Sequence, residues 1–130
     1  MGGNAGMQTL AVTVRTLATN DLTKNNFNQN ILKEFNIGIL NGVIFAIISS
    51  LIVQIWFQDY QLSLIISISM VLTMVVAGLF GILVPVTLKK VNIDPAIASS
   101  VFVTTITDVI GFVSFLGVGA YFLKKLQIIN

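Results

Sequence analysis

Three long apolar stretches alternate with short polar connectors along the chain. They cover residues ~35–56, ~62–88 and ~95–123, and each matches or exceeds the roughly 20 helical residues that cross a bilayer. A further stretch, residues 1–18, is mildly apolar and rich in glycine, and it is too short and too polar to cross alone. The pattern predicts an all-α membrane protein, a transmembrane helix bundle with three full spans plus one partial N-terminal helix. We interpret that partial helix as the end of a span that begins upstream.

The connectors carry turn and capping residues. Residues 19–30 are polar and rich in Asn, which predicts a loop, with a short surface helix as an alternative close to the first full span. In the last connector Asp94 precedes Pro95, and this pair favours a helix start, because the carboxylate can cap free amides and proline is tolerated in the first turn. Pro85 lies in the last turns of the second full span, where it predicts a kink or the end of the helix.

Basic residues predict the orientation of the spans. Loops 19–33 and 89–94, with Arg15 just before the first, hold five of the seven basic residues, whereas the turn 57–61 holds none. The positive-inside rule therefore predicts that both basic loops are cytoplasmic and the turn is outside. Lys124 and Lys125 conflict with this orientation, which puts the C-terminus outside. We expect a multi-pass protein of the cell (inner) membrane.

Composition excludes several classes of function. The chain is 55% hydrophobic and only 9% charged, against about a quarter charged in soluble domains, so membrane lipid is the expected surrounding. Its basic residues are scattered rather than gathered on one face, and nucleic acid is therefore not an expected partner. The chain has no Cys and no His, which removes thiolate sites and the usual general base. We expect that it is not an enzyme.

Asp108 lies near the middle of the third full span. A carboxylate at mid-bilayer costs about 2.5–3.5 kcal/mol, and no Lys or Arg within a span can neutralise it. It must therefore face water, become protonated or meet a mobile cation, and intramembrane carboxylates are functional by default. The alternative is a structural or remnant membrane subunit in which Asp108 is only a packing residue.

Small and polar residues surround Asp108 on its helix. At 100° per residue, Asp108 lies at the edge of one face formed by Ser100, Thr104, Thr107, Gly111, Ser114 and Val118. Such a face is typical of a pore-lining helix, and the alternative is close helix packing. We favour the pore for Thr104 and Asp108, and packing for Ser114 and Gly117.

The available ligands are all oxygen atoms. Carboxylate, hydroxyl and carbonyl groups suit hard cations such as Mg²⁺, Ca²⁺ or Mn²⁺ better than zinc or copper. Mg²⁺ usually takes one or two carboxylates and keeps most of its water. A two-fold homodimer would bring two copies of Asp108 together and supply two charges for one ion. A proton-coupled carrier stays open as an alternative.

The N-terminal stretch offers a second set of polar groups. Asn4 and Gln8 are one helical turn apart, so both could present side-chain oxygens, and Asn4 could line an ion path. The glycine pairs at positions 2 and 6 and at positions 38 and 42 are weak motifs. They predict close helix packing rather than a site.

Two segments at this separation resemble the MgtE family of magnesium transporters and channels. They are GGNAGMQTLAVTVR at residues 2–15 and DPAIASSVFVTTITDVIG at residues 94–111, supported by Lys33-Glu34 and by PVTLKK at residues 85–90. The resemblance implies that residues 1–130 are a partial MgtE-type transmembrane domain, with the end of TM2 at 1–18 and TM3, TM4 and TM5 at the three full spans. It also implies that the N-terminal cytoplasmic region of that family, including its CBS-domain pair, is a missing partner of this chain.

The same resemblance implies a mechanism. Family members form a homodimer with a pore on its axis, lined by the second and fifth helices, and hold a largely hydrated Mg²⁺. The metal site would comprise Asp108, the backbone carbonyl one turn earlier at Thr104, and a pore-lining Asn4. Ser100 stands where the family often has Asn or Gly, so its side chain departs from the pattern. We expect the fragment to be inactive alone, and the sequence does not distinguish Mg²⁺ from Mn²⁺ and Co²⁺.

Overall fold

Four α-helices account for nearly all of the chain. The computed structural model describes residues 1–19 and 24–129, the side chains at 24–25 and 126–129 excepted. The helices are α1 (Gly2–Ala18), α2 (Lys24–Phe57), α3 (Tyr60–Lys90) and α4 (Pro95–Ile129). Within these described ranges there is no strand, so the all-α prediction is confirmed. By length and composition α2, α3 and α4 can each cross a membrane, and the protein is a multi-pass membrane protein.

Helix α2 begins well before the apolar stretch that predicted it. Residues 24–30, expected in a loop, are helical and continue without a break into the span. Adding residues to an existing helix gains one backbone hydrogen bond for each residue fixed, so polar residues extend it once the apolar part is formed. Residues 20–23 of the predicted loop lie outside the described residues. Helix α4 likewise continues beyond 123, to Ile129.

Helix α3 passes through Pro85 and ends only at Lys90. The alternative in which Pro85 ends the helix is therefore wrong. Proline removes one N–H from the hydrogen-bond ladder, and in membrane helices neighbouring groups and local adjustments can satisfy the freed carbonyl. Pro85 itself is buried against other helices, which favours the continuous helix.

Two carboxylates define helix starts. Asp59 Oδ1 accepts hydrogen bonds from the backbone N–H groups of Gln61 at 2.8 Å and Leu62 at 3.2 Å. Asp94 Oδ1 accepts from the backbone N–H of Ala96 at 2.9 Å, so the predicted cap at the Asp94–Pro95 pair is confirmed. These caps satisfy amides that the first turn of a helix leaves without partners.

Helix α3 is the centre of the bundle, since it packs against α1, α2 and α4, while α1 also packs against α4. Glycines allow these helices to approach closely. A methyl group at Gly6 would lie 2.7 Å from Val103 Cγ1, and one at Gly38 would lie 2.9 Å from Val75 Cα. The packing role predicted for both glycine pairs is confirmed. Val103, Ala77 and Met74 are almost fully buried in the resulting core.

Candidate ion site at Asp108

Asp108 lies on the exposed surface of α4, beside the start of α1. It lines an open hollow of about 290 Å³ between α1, α3 and α4. The hollow is also lined by Met1, Gly2, Gly3, Thr73, Thr107, Gly111, Phe112 and Phe115. Among the described residues that line it, Asp108 has the only ionisable side chain.

The glycines of α1 determine how close that helix comes to Asp108. A methyl group at Gly3 would lie 3.7 Å from Thr107 Oγ1 and 4.0 Å from Thr104 Cγ2. A methyl group at Gly2 would lie 2.5 Å from Thr73 Cγ2, closer than real carbon atoms pack. Gly2 therefore allows the α1 backbone to lie close to Thr73 of α3, whereas the distances at Gly3 are those of ordinary van der Waals contact with α4.

The carboxylate of Asp108 is unpaired in the described part of the chain. Among residues 1–19 and 24–129, no side chain or backbone group forms a hydrogen bond or ion pair with it. A packing role for a buried carboxylate needs such partners, because leaving a polar group unsatisfied away from water is costly. The exposed, unpaired geometry suits a group whose partner comes from outside this chain.

The small polar face of α4 is divided between packing and exposure. Thr107 and Ser99 are each 1% exposed, and Val103 between them is fully buried, so this part of the helix faces α1 and α3. Thr104, Ser100, Gly111 and Ser114 are half-buried. Asp108 emerges beside this packed stripe, and Thr107 fits the packing alternative rather than a path for ions.

Thr104 has its hydroxyl turned to its own helix. Its Oγ1 donates to the backbone carbonyl of Ser100 at 2.9 Å, a common arrangement for threonine within a helix. The Thr104 carbonyl accepts a hydrogen bond from Thr107 Oγ1, also at 2.9 Å. That carbonyl, which the family resemblance implies as an ion contact, therefore already has a side-chain donor.

Asn4 lies on the exposed face of α1, immediately after the glycines that approach α4. It does not line the hollow at Asp108. Within one chain the structure thus brings Asp108 and Thr104 together, one helical turn apart, and leaves Asn4 on an adjoining surface. Gln8, one turn further along, lines a different cavity.

The described part of one chain does not supply a full set of metal ligands. In the described part of the chain, no three side chains among His, Cys, Asp and Glu come close enough together to hold a metal ion. A single carboxylate with hydroxyl and carbonyl oxygens suits a cation that keeps its own water. The arrangement offers an outer surface for a hydrated hard cation, not a closed cage.

Glu34 is a second carboxylate within the bundle, and its sequence neighbours indicate no role for it beyond a family motif. Its Oε2 accepts a hydrogen bond from Thr9 Oγ1 at 2.8 Å, across 25 residues of sequence. A sequence signal for this position exists: Glu34, Gly38 and Asn41 share one helical face once the helix is started upstream of residue 35.

Sequence comparisons identify relatives of the chain. Residues 1–118 match the profile of the MgtE family, described as a divalent cation transporter. The chain is similar to three proteins named magnesium transporter MgtE. The protein from Enterococcus faecalis is 34% identical over 122 residues, which are 94% of this chain and 27% of that protein. Those from Bacillus subtilis and Thermus thermophilus are 30% and 32% identical, over 97% and 95% of this chain and 28% and 27% of their own lengths.

Proposed function

The chain belongs to the MgtE family of divalent cation transporters, and on that premise we propose that it forms part of a path for Mg²⁺ across the membrane. The family's activity is ion transport rather than catalysis. The chain spans just over a quarter of the length of the relatives it matches. The proposal therefore concerns only the part that the four helices of this chain play in transport. Mg²⁺ is the transported ion and not a bound cofactor.

The unpaired carboxylate of Asp108 carries this proposal. A carboxylate in a membrane-spanning helix costs about 2.5–3.5 kcal/mol, and nothing in the described part of the chain pairs with it. A passing cation offsets that cost. In a homodimer with α4 near the two-fold axis, two copies of Asp108 would match the two charges of Mg²⁺, while the ion keeps most of its water.

Thr104 and Asn4 have secondary parts in this proposal. The Thr104 carbonyl already accepts from Thr107, so it would contact the ion through a water of hydration. Asn4 is exposed on the α1 surface next to the glycines, and its amide would line the path where the two subunits meet. Both groups would orient the water shell rather than bind the metal directly.

The membrane orientation follows from the loop charges. We propose a position in the cell inner membrane, with residues 19–33 and 89–94 on the cytoplasmic side and residues 57–61 outside. Lipid would cover the apolar surfaces, including Ile55 and Trp56, which are each 79% exposed. A cysteine at Gln58 should react with an impermeant thiol reagent applied outside, and one at Asn92 should not. The reverse pattern would invert the orientation.

Magnesium flux tests the role of Asp108. This chain would replace the matching segment of the Bacillus subtilis transporter, and uptake of Mg²⁺ would be measured in liposomes. We expect Asp108→Asn to lower flux by about 10–100-fold, the range seen when a group that orients a metal is lost, with insertion unchanged. The matched control is Asp59→Asn, because it removes the same charge outside the spans and Asn still caps a helix.

Unchanged Mg²⁺ flux in Asp108→Asn would contradict the proposal, and so would a loss of flux that is fully accounted for by lost folding or insertion. Asp108 would then be a packing residue, and the chain would belong to a structural or remnant subunit.

A further inference from the structure

A second polar cavity lies between α1, α2 and α3. It encloses about 180 Å³, and its polar lining residues are Gln8, Thr9, Glu34 and Asn41. On α1 it uses a different face from the hollow at Asp108, because Gly3 and Gln8 are about 140° apart around the helix axis. It contains no residue of α4, so it is separate from the proposed ion path.

The lining of this cavity has the chemistry of a cation site. Glu34 supplies a carboxylate, Gln8 and Asn41 supply amide oxygens, and no lysine or arginine is among the described lining residues. Thr9 Oγ1 donates a hydrogen bond to one carboxylate oxygen of Glu34. The other oxygen of Glu34, and both amide side chains, have no hydrogen-bond partner within residues 1–19 and 24–129. Oxygen donors with one negative charge suit a hard cation.

The size of the cavity indicates how such a cation would be held. One water occupies about 30 Å³ in the liquid, so a cavity of about 180 Å³ has room for several waters. Six ligands complete the octahedral shell of Mg²⁺, which gives up its waters reluctantly. The cavity is therefore large enough for a hydrated divalent ion, but its polar groups are too few to replace the whole shell.

We propose that this cavity binds a divalent cation together with part of its hydration shell. Glu34 supplies the opposing charge, and the amide oxygens of Gln8 and Asn41 accept hydrogen bonds from the ion's waters. The site uses no atom of Asp108 and does not depend on the proposed pore. Because Thr9 both bonds to Glu34 and packs on Gly81, an ion at Glu34 would lie beside the junction of α1, α2 and α3.

Mn²⁺ is the probe for this site, since its EPR signal reports free and bound ion. The 130-residue chain in lipid nanodiscs would be titrated with Mn²⁺ as the unmodified protein, Asp108→Asn, Glu34→Gln and Asn41→Leu. Glu34→Gln removes the charge but keeps an acceptor for Thr9. We expect the Asp108→Asn protein still to bind Mn²⁺. In the double variant that also carries Glu34→Gln, the affinity for Mn²⁺ should be about 10–100-fold lower. Asn36→Leu is the matched control for Asn41→Leu, because Asn36 is an exposed asparagine on α2 outside the lining.

Three results would overturn the proposal. The first is an absence of bound Mn²⁺ in Asp108→Asn, or a population there that Glu34→Gln leaves unchanged. The second is an equal loss from Asn36→Leu and Asn41→Leu. The third is displacement of Mn²⁺ by NaCl but not by choline chloride, which would assign the cavity to a monovalent ion.

A measurement on unmodified protein covers the case in which a variant does not fold. Bound Mn²⁺ should broaden the side-chain amide NMR signals of Gln8 and Asn41 at lower concentration than that of Asn36. Equal broadening of all three amides would also overturn the proposal. Mn²⁺ bound near Asp108 and Mn²⁺ bound near Glu34 are removed by different substitutions. The experiment can therefore reject the cavity site without rejecting the proposed ion path, and the reverse.

Discussion

The two carboxylates within the helix bundle have opposite surroundings. Glu34 lies half-buried between three helices and accepts a hydrogen bond from Thr9. Asp108 lies exposed on α4 in an open hollow, and no group in the described ranges pairs with it. Both are acidic residues on helices that can span a membrane, but among the described residues only Glu34 has a hydrogen-bond partner in its own chain.

The two carboxylates therefore differ in role: Glu34 connects two helices, whereas Asp108 has no partner among the described residues. Glu34 joins α1 to α2, two helices that otherwise make few close contacts, so its removal should affect the bundle. Asp108 forms no hydrogen bond or ion pair with another described residue, so its replacement by Asn should affect mainly what approaches from outside. The effect of removing a charge within a span therefore depends on the partners of that charge rather than on its depth in the membrane.

The largest test concerns the packing on the Glu34 side. A methyl group at Gly38 would lie 2.9 Å from Val75 Cα and 3.0 Å from the Met74 carbonyl oxygen. Because these are backbone atoms that cannot turn aside, Gly38→Ala should lower the free energy of unfolding by about 1–3 kcal/mol, as overpacking does. The measurement is unfolding of the chain in mixed detergent micelles, followed by circular dichroism.

Gly117→Ala is the matched control for that substitution. Nothing lies within 4 Å of a methyl group at Gly117, so the packing role predicted for Gly117 is wrong within this chain, because no described residue faces it. The change should be neutral or stabilising by up to about 1 kcal/mol through helix propensity. Equal changes in the free energy of unfolding at Gly38 and Gly117 would mean that α2 and α3 are loosely packed near Glu34. The two carboxylates would then not differ in how tightly their surroundings are packed.

A smaller effect should separate the two carboxylates directly. In a double-mutant cycle, Thr9→Val with Glu34→Leu should give a coupling of about 0.6 kcal/mol and at most about 1.7, the range for hydrogen bonds between membrane helices. The parallel cycle of Thr104→Val with Asp108→Asn should be additive within about 0.5 kcal/mol, since no hydrogen bond joins that pair. Unfolding of the four single variants and two double variants provides the measurement, and strong coupling at Asp108 would contradict its isolation.

The helices and Asp108 could be predicted from sequence because both depend on local signals. Apolar runs longer than a bilayer crossing gave the spans, and a lone carboxylate in the last span identified the candidate residue. The cap at Asp94 was also local, since its partner is the amide two residues later. Such features need no knowledge of which helices are neighbours.

The cavity at Glu34 could not be predicted in the same way. Its lining comes from three helices, and the hydrogen bond from Thr9 crosses 25 residues. The position of Glu34 within a continuous helix could not be predicted, because the asparagine-rich residues before it favour a loop when taken alone. The division of the α4 polar face was also out of reach, since the burial of Thr107 depends on the glycines of α1.

The smallest expected effect tests the part of the site next to Asp108. Thr104→Ser keeps the hydroxyl that donates to the Ser100 carbonyl and leaves the backbone carbonyl unchanged. Stability should change by less than about 0.5 kcal/mol, and Mg²⁺ flux through the chimeric transporter should stay close to that of the parent. A loss as large as that of Asp108→Asn would place the Thr104 side chain itself in contact with the ion.

The central position of α3 has a consequence for how the protein is made. Synthesis proceeds from the N-terminus, so α1 and α2 leave the ribosome before the helix against which both of them pack. Until α3 follows them into the bilayer, one hydrogen bond between Thr9 and Glu34 is the described polar link between the two. A ribosome that stalls after Phe57 would therefore leave α1 and α2 in the bilayer without the helix that joins them, a product suited to recognition by membrane quality-control proteases.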